Sequence, residues 1–303
     1  MVYPKPLKPG DTVAIIGIAG CVRGEDRRKT VEEHAKNLEM MGFRVKIDPS
    51  ACGRWGYMAG TDEERAAALT NAFLDDEVNG IWCVRGGYGC IRILDKIDWD
   101  AIAKHPKVFV GYSDITAIHT VLQERCGMAT FHGPMVVTDE YTGANLESLR
   151  YAVTGHPDRA LINPDGTELK RLRPGRAEGR LVGGNLSLIA STIGTPYELD
   201  TWGKILFLED VGEHVYTMDR YLQTLRLAGK LDGCAGIIFG GFDDVEGDGE
   251  DFSMLDILRG IVEPLRVPVI AGLQAGHMKQ KLTLCLGHTY RMDADARSIT
   301  LID

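Results

Sequence analysis

The sequence contains no Cys-x-x-Cys pair, no H-E-x-x-H and no other paired-histidine spacing. A structural zinc site or a zinc hydrolase centre therefore has little support, and no metal is expected. No apolar run approaches the roughly 20 residues needed to cross a bilayer. The opening Met1-Val2-Tyr3-Pro4-Lys5-Pro6 lacks the apolar core of a secretory signal. With Met1 as the start, the protein is expected to stay in the cytoplasm, away from the membrane. Positive charge is in deficit: 34 Lys and Arg face 43 Asp and Glu, a formal net charge of -9. That balance argues against nucleic acid as the main partner, which would favour a basic face. Neither G-x-G-x-x-G nor the P-loop pattern occurs, so no nucleotide fingerprint follows the early strands.

What is present fits a globular protein. Hydrophobic residues make up 44% of the chain and charged residues 25%. At 303 residues there is room for two domains of ordinary size. The seven cysteines are odd in number, and Cys83 and Cys234 lie in apolar runs. A small-hydrophobe role and a reducing compartment suit them.

The first half alternates strand and helix signals. Strands are expected at 12–17, 44–47, 80–84 and 107–111, with helices at 27–41, 62–73, 90–94 and 114–124. Alternation of this kind implies βαβ units, a parallel sheet and right-handed crossovers. Between Gly155 and Gly179 the texture changes to Pro157, Asp158, Asn163, Pro164, Asp165, Gly166 and Pro174, with basic Lys170, Arg171, Arg173 and Arg176. This is connector chemistry, and its basic cluster is either a solvated face or an anion site. Beyond it, strands are expected at 204–208, 236–239, 281–284, 289–292 and 298–301, and helices at 186–192, 216–227 and 256–262. The expected fold is thus α/β: an N-terminal parallel-sheet domain (1–155), a connector (156–178) and a smaller β-rich C-terminal domain (179–303).

Four segments carry candidate chemistry. In Val108-Phe109-Val110-Gly111-Tyr112-Ser113-Asp114-Ile115-Thr116, a strand-type run meets a helix at a tight turn. Ser113 there is either the N-cap of its helix or an exposed nucleophile near unsatisfied helix amides. Ile115 replaces the second Gly of a complete nucleophile elbow. Arg85-Gly86-Gly87-Tyr88-Gly89 follows a strand directly, as an anion nest or as a plain tight turn. Glu209 and Asp210 end the apolar run Leu206-Phe207-Leu208. They can orient a histidine, cap a helix or pair with a cation such as Arg220. His277, in Ala275-Gly276-His277-Met278-Lys279, is a general-base candidate in a Gly-flanked loop, or a solvated one. His132 and His288 remain open as further histidines. Ser113, Glu209 and His277 run in the order nucleophile, acid, base, which implies a site assembled at a domain interface.

These segments resemble the LD-carboxypeptidases, serine peptidases with a Ser-Glu-His triad. The resemblance covers almost the whole chain. It runs through Leu7-Lys8-Pro9-Gly10-Asp11-Thr12-Val13-Ala14, the 85–89 turn, Gly111–Thr116, Phe131-His132-Gly133-Pro134, Gly183-Gly184-Asn185-Leu186, Leu208-Glu209-Asp210 and Gly276-His277. It implies Ser113 as nucleophile, His277 as base and Glu209 as orienter. The backbone N–H groups of Gly87 and Asp114 would form the oxyanion hole. Substrate contacts are expected from Arg85, Gly86, Tyr88 and Asn185. The implied fold is Rossmann-like followed by a β-rich domain, without metal or cofactor and as a homodimer. The implied reaction is hydrolysis of an L,D-amide, releasing D-Ala from murein tetrapeptide in cytoplasmic peptidoglycan recycling. A second branch cleaves microcin-type aminoacyl nucleotides in self-immunity and carries an aromatic residue before its second domain. The 155–179 stretch has no Trp, Tyr or Phe, which favours the murein branch. A silent small-molecule binding protein is the alternative from another class. Cys285, in Leu284-Cys285-Leu286-Gly287, departs from the Pro expected there.

Overall fold

In the computed structural model, residues 1–138, 141–156, 159–245, 247 and 252–303 are described. The chain forms two compact units, Met1–Pro157 with Thr283–Cys285, and Asp158–Leu282 with Leu286–Asp303.

The first unit contains β1 (Thr12–Ile16), α1 (Arg27–Met40), β2 (Arg44–Ile47), α2 (Asp62–Leu74), β3 (Gly80–Cys83), α3 (Trp99–Ile102), β4 (Val108–Gly111), α4 (Thr116–Glu124), β5 (Thr130–His132) and α5 (Gly143–Val153). Strand β1 pairs in parallel with β2 and β3, β3 with β4, and β4 with β5. The chain steps from β1 to β2 on one side and then to β3 on the other, so strand order reverses at β1. Strands β3 and β4 are buried at every position, as expected of a parallel sheet covered on both faces. Helix α2 starts with a capping box, Thr61 and Glu64 satisfying each other's backbone N–H. The core around Val13, Ile15, Trp82, Val108 and Val110 extends to Cys285, so the expected proline position is a packing position here.

The second unit contains β6 (Lys170–Arg173), β7 (Arg176–Asn185), α6 (Leu186–Ser191), β8 (Ile205–Val211), α7 (Val215–Leu227), β9 (Gly236–Asp243), α8 (Met254–Val262), β10 (Val269–Ala271), β12 (Thr289–Asp293) and β13 (Ser298–Leu301). Between β10 and β12 the chain contributes β11 (Leu284–Leu286), which stands beside β5 in the first sheet. The second sheet runs β13-β12-β7-β8-β9-β10-β6, parallel from β7 to β10 and antiparallel at both flanks. Leu206, Leu208, Met218, Leu222, Ile237, Phe239, Leu258 and Ile261 fill its core, where α7 contacts α6 and α8. The combination is the α/β fold expected, with a parallel sheet followed by a second, strand-rich unit.

Two expectations change. Residues 170–173 and 176–178, read as connector, are strand, and three of their four cations have local partners. Arg171 pairs with Asp295 at 2.8 Å and Arg176 with Asp293 at 2.6 Å, while Arg173 donates to the Glu263 carbonyl. Carboxylates thus neutralise Arg171 and Arg176. Pro157 and Asp158 of the same stretch lie outside the described residues. Strand β8 also continues through Glu209 and Asp210 to Val211, so the two acids are inside the sheet and not at its end.

Candidate active site

The nucleophile turn is built by small residues. Strand β4 closes on Gly111, where a Cβ would lie 2.9 Å from Ile115 Cγ2, so the turn folds back tightly. Tyr112 is extended, Ser113–Ile115 form one 3-10 turn, and α4 follows. Ser113 has φ of +66°, the left-handed region that a non-glycine residue occupies at a cost of order 1–3 kcal/mol. Capping needs extended backbone at the N-cap, and Ser113 does not have it. No side chain caps either the 3-10 turn or α4, so the N-cap reading of Ser113 is overturned.

The Gly-rich turn presses on this serine. A Cβ at Gly86 would fall 2.9 Å from Ser113 Cβ and 3.0 Å from its Oγ. Only glycine leaves the hydroxyl its space. Gly87 adopts φ of +115° and is exposed, leaving backbone beside the serine open to a ligand. Asp114 joins the two turns. Its buried carboxylate accepts from Cys90 N–H at 2.8 Å, just past the Gly-rich segment. Burial pushes this carboxyl up to about 6, against the lowering effect of the Cys90 bonds and Arg65.

Two buried groups invisible as site residues in the sequence hold the frame. Arg65, on α2, is fully buried and donates to the carbonyls of Ile18, Gly60 and Gly89 at 2.7, 3.2 and 2.8 Å. It thereby ties the segment after β1 to the Gly-rich turn. In sequence it reads as one more charge on an acidic helix start, and no signal distinguishes it. His119, on α4, lies 2.9 Å through Nε2 from the Gly111 carbonyl and 2.8 Å through Nδ1 from Thr130 Oγ1. A carbonyl only accepts, so Nε2 carries the proton and Thr130 donates to Nδ1. Burial pushes this imidazole down to about 3 and keeps it neutral. His132 is buried with its ring 5.7 Å from that of Tyr112, and His288 lies 3.4 Å from Asp303. Both read as packing and framework groups.

The second unit assembles the acid and the base. Glu209 is fully buried on β8, in register with Asn185 of β7. Its Oε2 accepts the His277 backbone N–H at 3.1 Å and lies 2.7 Å from His277 Nδ1. The carboxylate accepts, so Nδ1 is the protonated nitrogen and Nε2 presents a lone pair, as a general base requires. Gly276 makes this approach possible: it has φ of +103°, and a Cβ there would fall 2.6 Å from Glu209 Cγ. Asp210 accepts from Asn185 Nδ2 at 2.8 Å, Ser187 N–H at 2.8 Å and Val211 N–H at 2.9 Å. Burial still raises it to about 6.

Asn185, expected as a substrate contact, is buried and spent on Asp210 and on capping α6. Its amide is thus a framework group. Arg220 stacks on Tyr216 and Tyr221 instead of pairing with the acids. All seven cysteines are free thiols, six of them buried. Among the described residues, no three His, Cys, Asp or Glu side chains are placed to hold a metal. No described helix is long and apolar enough to cross a membrane.

Comparison with known proteins bears on both units. Residues 13–133 match the LD-carboxypeptidase N-terminal domain, and residues 178–292 match the LD-carboxypeptidase C-terminal domain. A probable murein peptide carboxypeptidase of Bacillus subtilis (strain 168) is 37% identical over 305 residues, 98% of this chain and 93% of that protein. The murein tetrapeptide carboxypeptidase of Pseudomonas aeruginosa is 32% identical over 291 residues, 91% of each chain. The crystal structure of a muramoyltetrapeptide carboxypeptidase from Oxalobacter formigenes superposes with a TM-score of 0.82 at 28% identity, covering 96% of this chain and 97% of that one.

Proposed function

The chain belongs to the LD-carboxypeptidase family, and from that premise we propose that it is a serine carboxypeptidase releasing a terminal D-residue from murein peptide. Ser113 acts as nucleophile, His277 as base and Glu209 as the group that fixes the histidine tautomer. Ser113 Oγ attacks the carbonyl of the L-residue and passes its proton to His277 Nε2. The backbone N–H groups of Gly87 and Asp114 hold the oxyanion. His277 returns the proton to the leaving D-residue's nitrogen, and water then cleaves the acyl-enzyme by the same steps in reverse. The amide C–N bond breaks, and the products are the shortened peptide acid and free D-amino acid.

The observation that carries this reading is the left-handed Ser113, a strained non-glycine residue crowded by Gly86 and capping no helix. Strain of this kind clusters at active sites. The His277–Glu209 pair supports it independently. The same reading puts the enzyme in the cytoplasm as a homodimer, acting in peptidoglycan recycling. The test is incubation with L-Ala-γ-D-Glu-meso-diaminopimelate-D-Ala and, separately, with an aminoacyl sulfamoyl adenylate, followed by mass spectrometry. Release of D-Ala that disappears in Ser113→Ala is the expected result. Cleavage of the adenylate alone would assign the chain to the microcin-type branch. Tight binding without turnover of either would make it a binding protein.

A further inference from the structure

One peptide unit at the end of the Gly-rich turn is held by charge on both sides. The Gly89 carbonyl accepts from Arg65 Nη1 at 2.8 Å, and the Cys90 N–H of the same peptide donates to Asp114 Oδ2 at 2.8 Å. A cation on the oxygen and an anion on the nitrogen fix the direction of the peptide dipole. Turning the unit over would set oxygen against the carboxylate and N–H against the guanidinium. Charge-assisted bonds are roughly twice as strong as neutral ones, and a low local dielectric strengthens them. Arg65 and Asp114 are both fully buried, and the arrangement lies within the first unit. The turn needs such a hold. Gly86, Gly87 and Gly89 give it little conformational preference of its own.

Arg65 commits every donor it has. A guanidinium carries five N–H groups. Nε donates to the Gly60 carbonyl at 3.2 Å, and Nη1 to the carbonyls of Ile18 at 2.7 Å and Gly89 at 2.8 Å. Nη2 donates to Met58 Sδ at 3.3 Å and to Asp62 Oδ1 at 2.5 Å. Asp62, in the same first turn of α2, supplies the direct counter-charge. Arg92 holds both Asp62 oxygens, at 2.9 and 2.8 Å, and lies over the Trp55 ring. A Cβ at Gly89 would fall 2.7 Å from Arg65 Nη1, and a guanidinium fastened this way has no room to retreat. The other end of the turn is tied without a second ion: Gly20 N–H donates to the Gly86 carbonyl at 3.0 Å, and Arg85 to the Cys21 carbonyl at 2.8 Å. Taking a guanidinium wholly out of water is expensive, and a buried ion pair is weak evidence for stability. Stability alone therefore does not account for Arg65.

We propose that Arg65 is a positioning residue for catalysis: with the Asp114 carboxylate across the Gly89–Cys90 peptide, it fixes the spacing of the two oxyanion-hole N–H groups, those of Gly87 and Asp114. The assignment rests on the serine carboxypeptidase reading, which supplies the hole. Its two donors come from different segments, one from the turn after β3 and one from the turn after β4. The clamp joins them directly. Gly87 lies two residues before Gly89, and Asp114 gives its carboxylate to the clamp and its N–H to the hole. An oxyanion hole works because its donors are in place before charge develops. A displacement of about 1 Å can cost about 100-fold in rate. Glycines let the turn approach Ser113 and leave it free to drift. The paired charges remove that freedom at one peptide.

The test is a double-variant cycle on kcat and KM for the murein tetrapeptide, with the affinity of a peptide trifluoromethyl ketone followed alongside. The hemiketal that this ketone forms with Ser113 presents an oxyanion to the hole. Arg65→Met should lower kcat by about 100-fold and leave KM within about threefold, with ketone affinity falling in step with kcat. Arg65→Lys keeps the charge without the planar fork and should recover about tenfold of that loss. Asp114→Asn removes the anion from the other side and should cost about tenfold in kcat. Arg65→Met/Asp114→Asn should lie within about threefold of Arg65→Met alone, because either change releases the same peptide. Losses that multiply overturn the clamp. So does a folded Arg65→Met protein with wild-type kcat or unchanged ketone affinity. If Arg65→Met does not fold, the same cycle runs on Arg65→Lys, and multiplied losses again overturn the clamp. Murein peptide cleavage with multiplied losses keeps the carboxypeptidase reading and removes the clamp. A wild type that cleaves no murein peptide overturns that reading, and the cycle on p-nitrophenyl acetate hydrolysis then decides the clamp by itself. Turnover of neither substrate overturns both.

Discussion

Ser113 and His277 are positioned by opposite means. Ser113 is set by backbone: a left-handed φ, a glycine two residues before it and a glycine packed on its side chain. His277 is set by a side chain: one buried carboxylate oxygen takes both its backbone N–H and its Nδ1–H. The chemistry proposed for each explains the difference. A nucleophile must keep its hydroxyl for the base that takes its proton, so its position is better fixed through the backbone than through a competing acceptor. A base must present one nitrogen in one tautomer, and a fixed acceptor on the other nitrogen enforces that. The two halves also share a device. The residue directly after Ser113 and the residue directly after Glu209 are both buried aspartates raised to about 6, each accepting backbone N–H from another segment.

The largest expected effect tests whether the two halves act as one machine. Ser113→Ala should reduce kcat by about 10⁴- to 10⁶-fold, and adding His277→Ala should cost little more. Additive losses in that double variant would break the pairing. Glu209→Gln comes next. Its amide would offer a donor in place of one acceptor and disturb the histidine tautomer, with a kcat loss of about 10³- to 10⁴-fold. A loss below tenfold would mean that packing alone orients His277. Gly276→Ala should act through the same contact more mildly, by about 10- to 100-fold, since both its φ and its distance to Glu209 resist a side chain. Wild-type activity in this variant would show that the loop has slack.

The smallest effect concerns the shared aspartates and is read in stability. Asp114 is protonated more readily in the folded state, at about 6, than its ordinary 3.8. Folding therefore binds a proton between those values, and stability falls as pH rises through that window, by roughly 3 kcal/mol at most. His119 works the other way. Its folded value of about 3 lies below the ordinary 6.5, so stability is lost as pH falls below about 6.5. Asp114→Asn keeps an oxygen for Cys90 N–H and removes only the first slope. Urea unfolding between pH 4 and 7 should show the variant gaining on wild type as pH rises. Parallel curves would mean that Asp114 is ionised throughout.

The sequence makes the first unit's architecture plain, because fully buried strands such as Val108-Phe109-Val110 leave unbroken apolar runs. It hides β7. That strand begins with exposed charges and ends in Gly183 and Gly184, both with positive φ, so neither alternation nor an apolar run marks it. Strand β5 is three residues long and too short to register. Ser113, Glu209 and His277 stand out by order and setting. The left-handed turn at Ser113 does not, since serine is equally at home as a cap. Arg65 looks in sequence like one more scattered charge, and only the fold shows it buried among carbonyls.

Strand β11 gives the first unit a dependence on time. Thr283 N–H donates to Ser148 Oγ, its side chain fills the space over Gly133, and Cys285 enters the core of a unit otherwise closed by residue 157. A ribosome that has released the whole nucleophile turn has still not supplied the last strand beside it. The first sheet stays unfinished at that edge until about 125 further residues have emerged, a non-local closure of the kind that slows folding. A chain cut near residue 155 would keep Ser113 and lose the strand beyond β5, leaving an unpaired sheet edge open to aggregation.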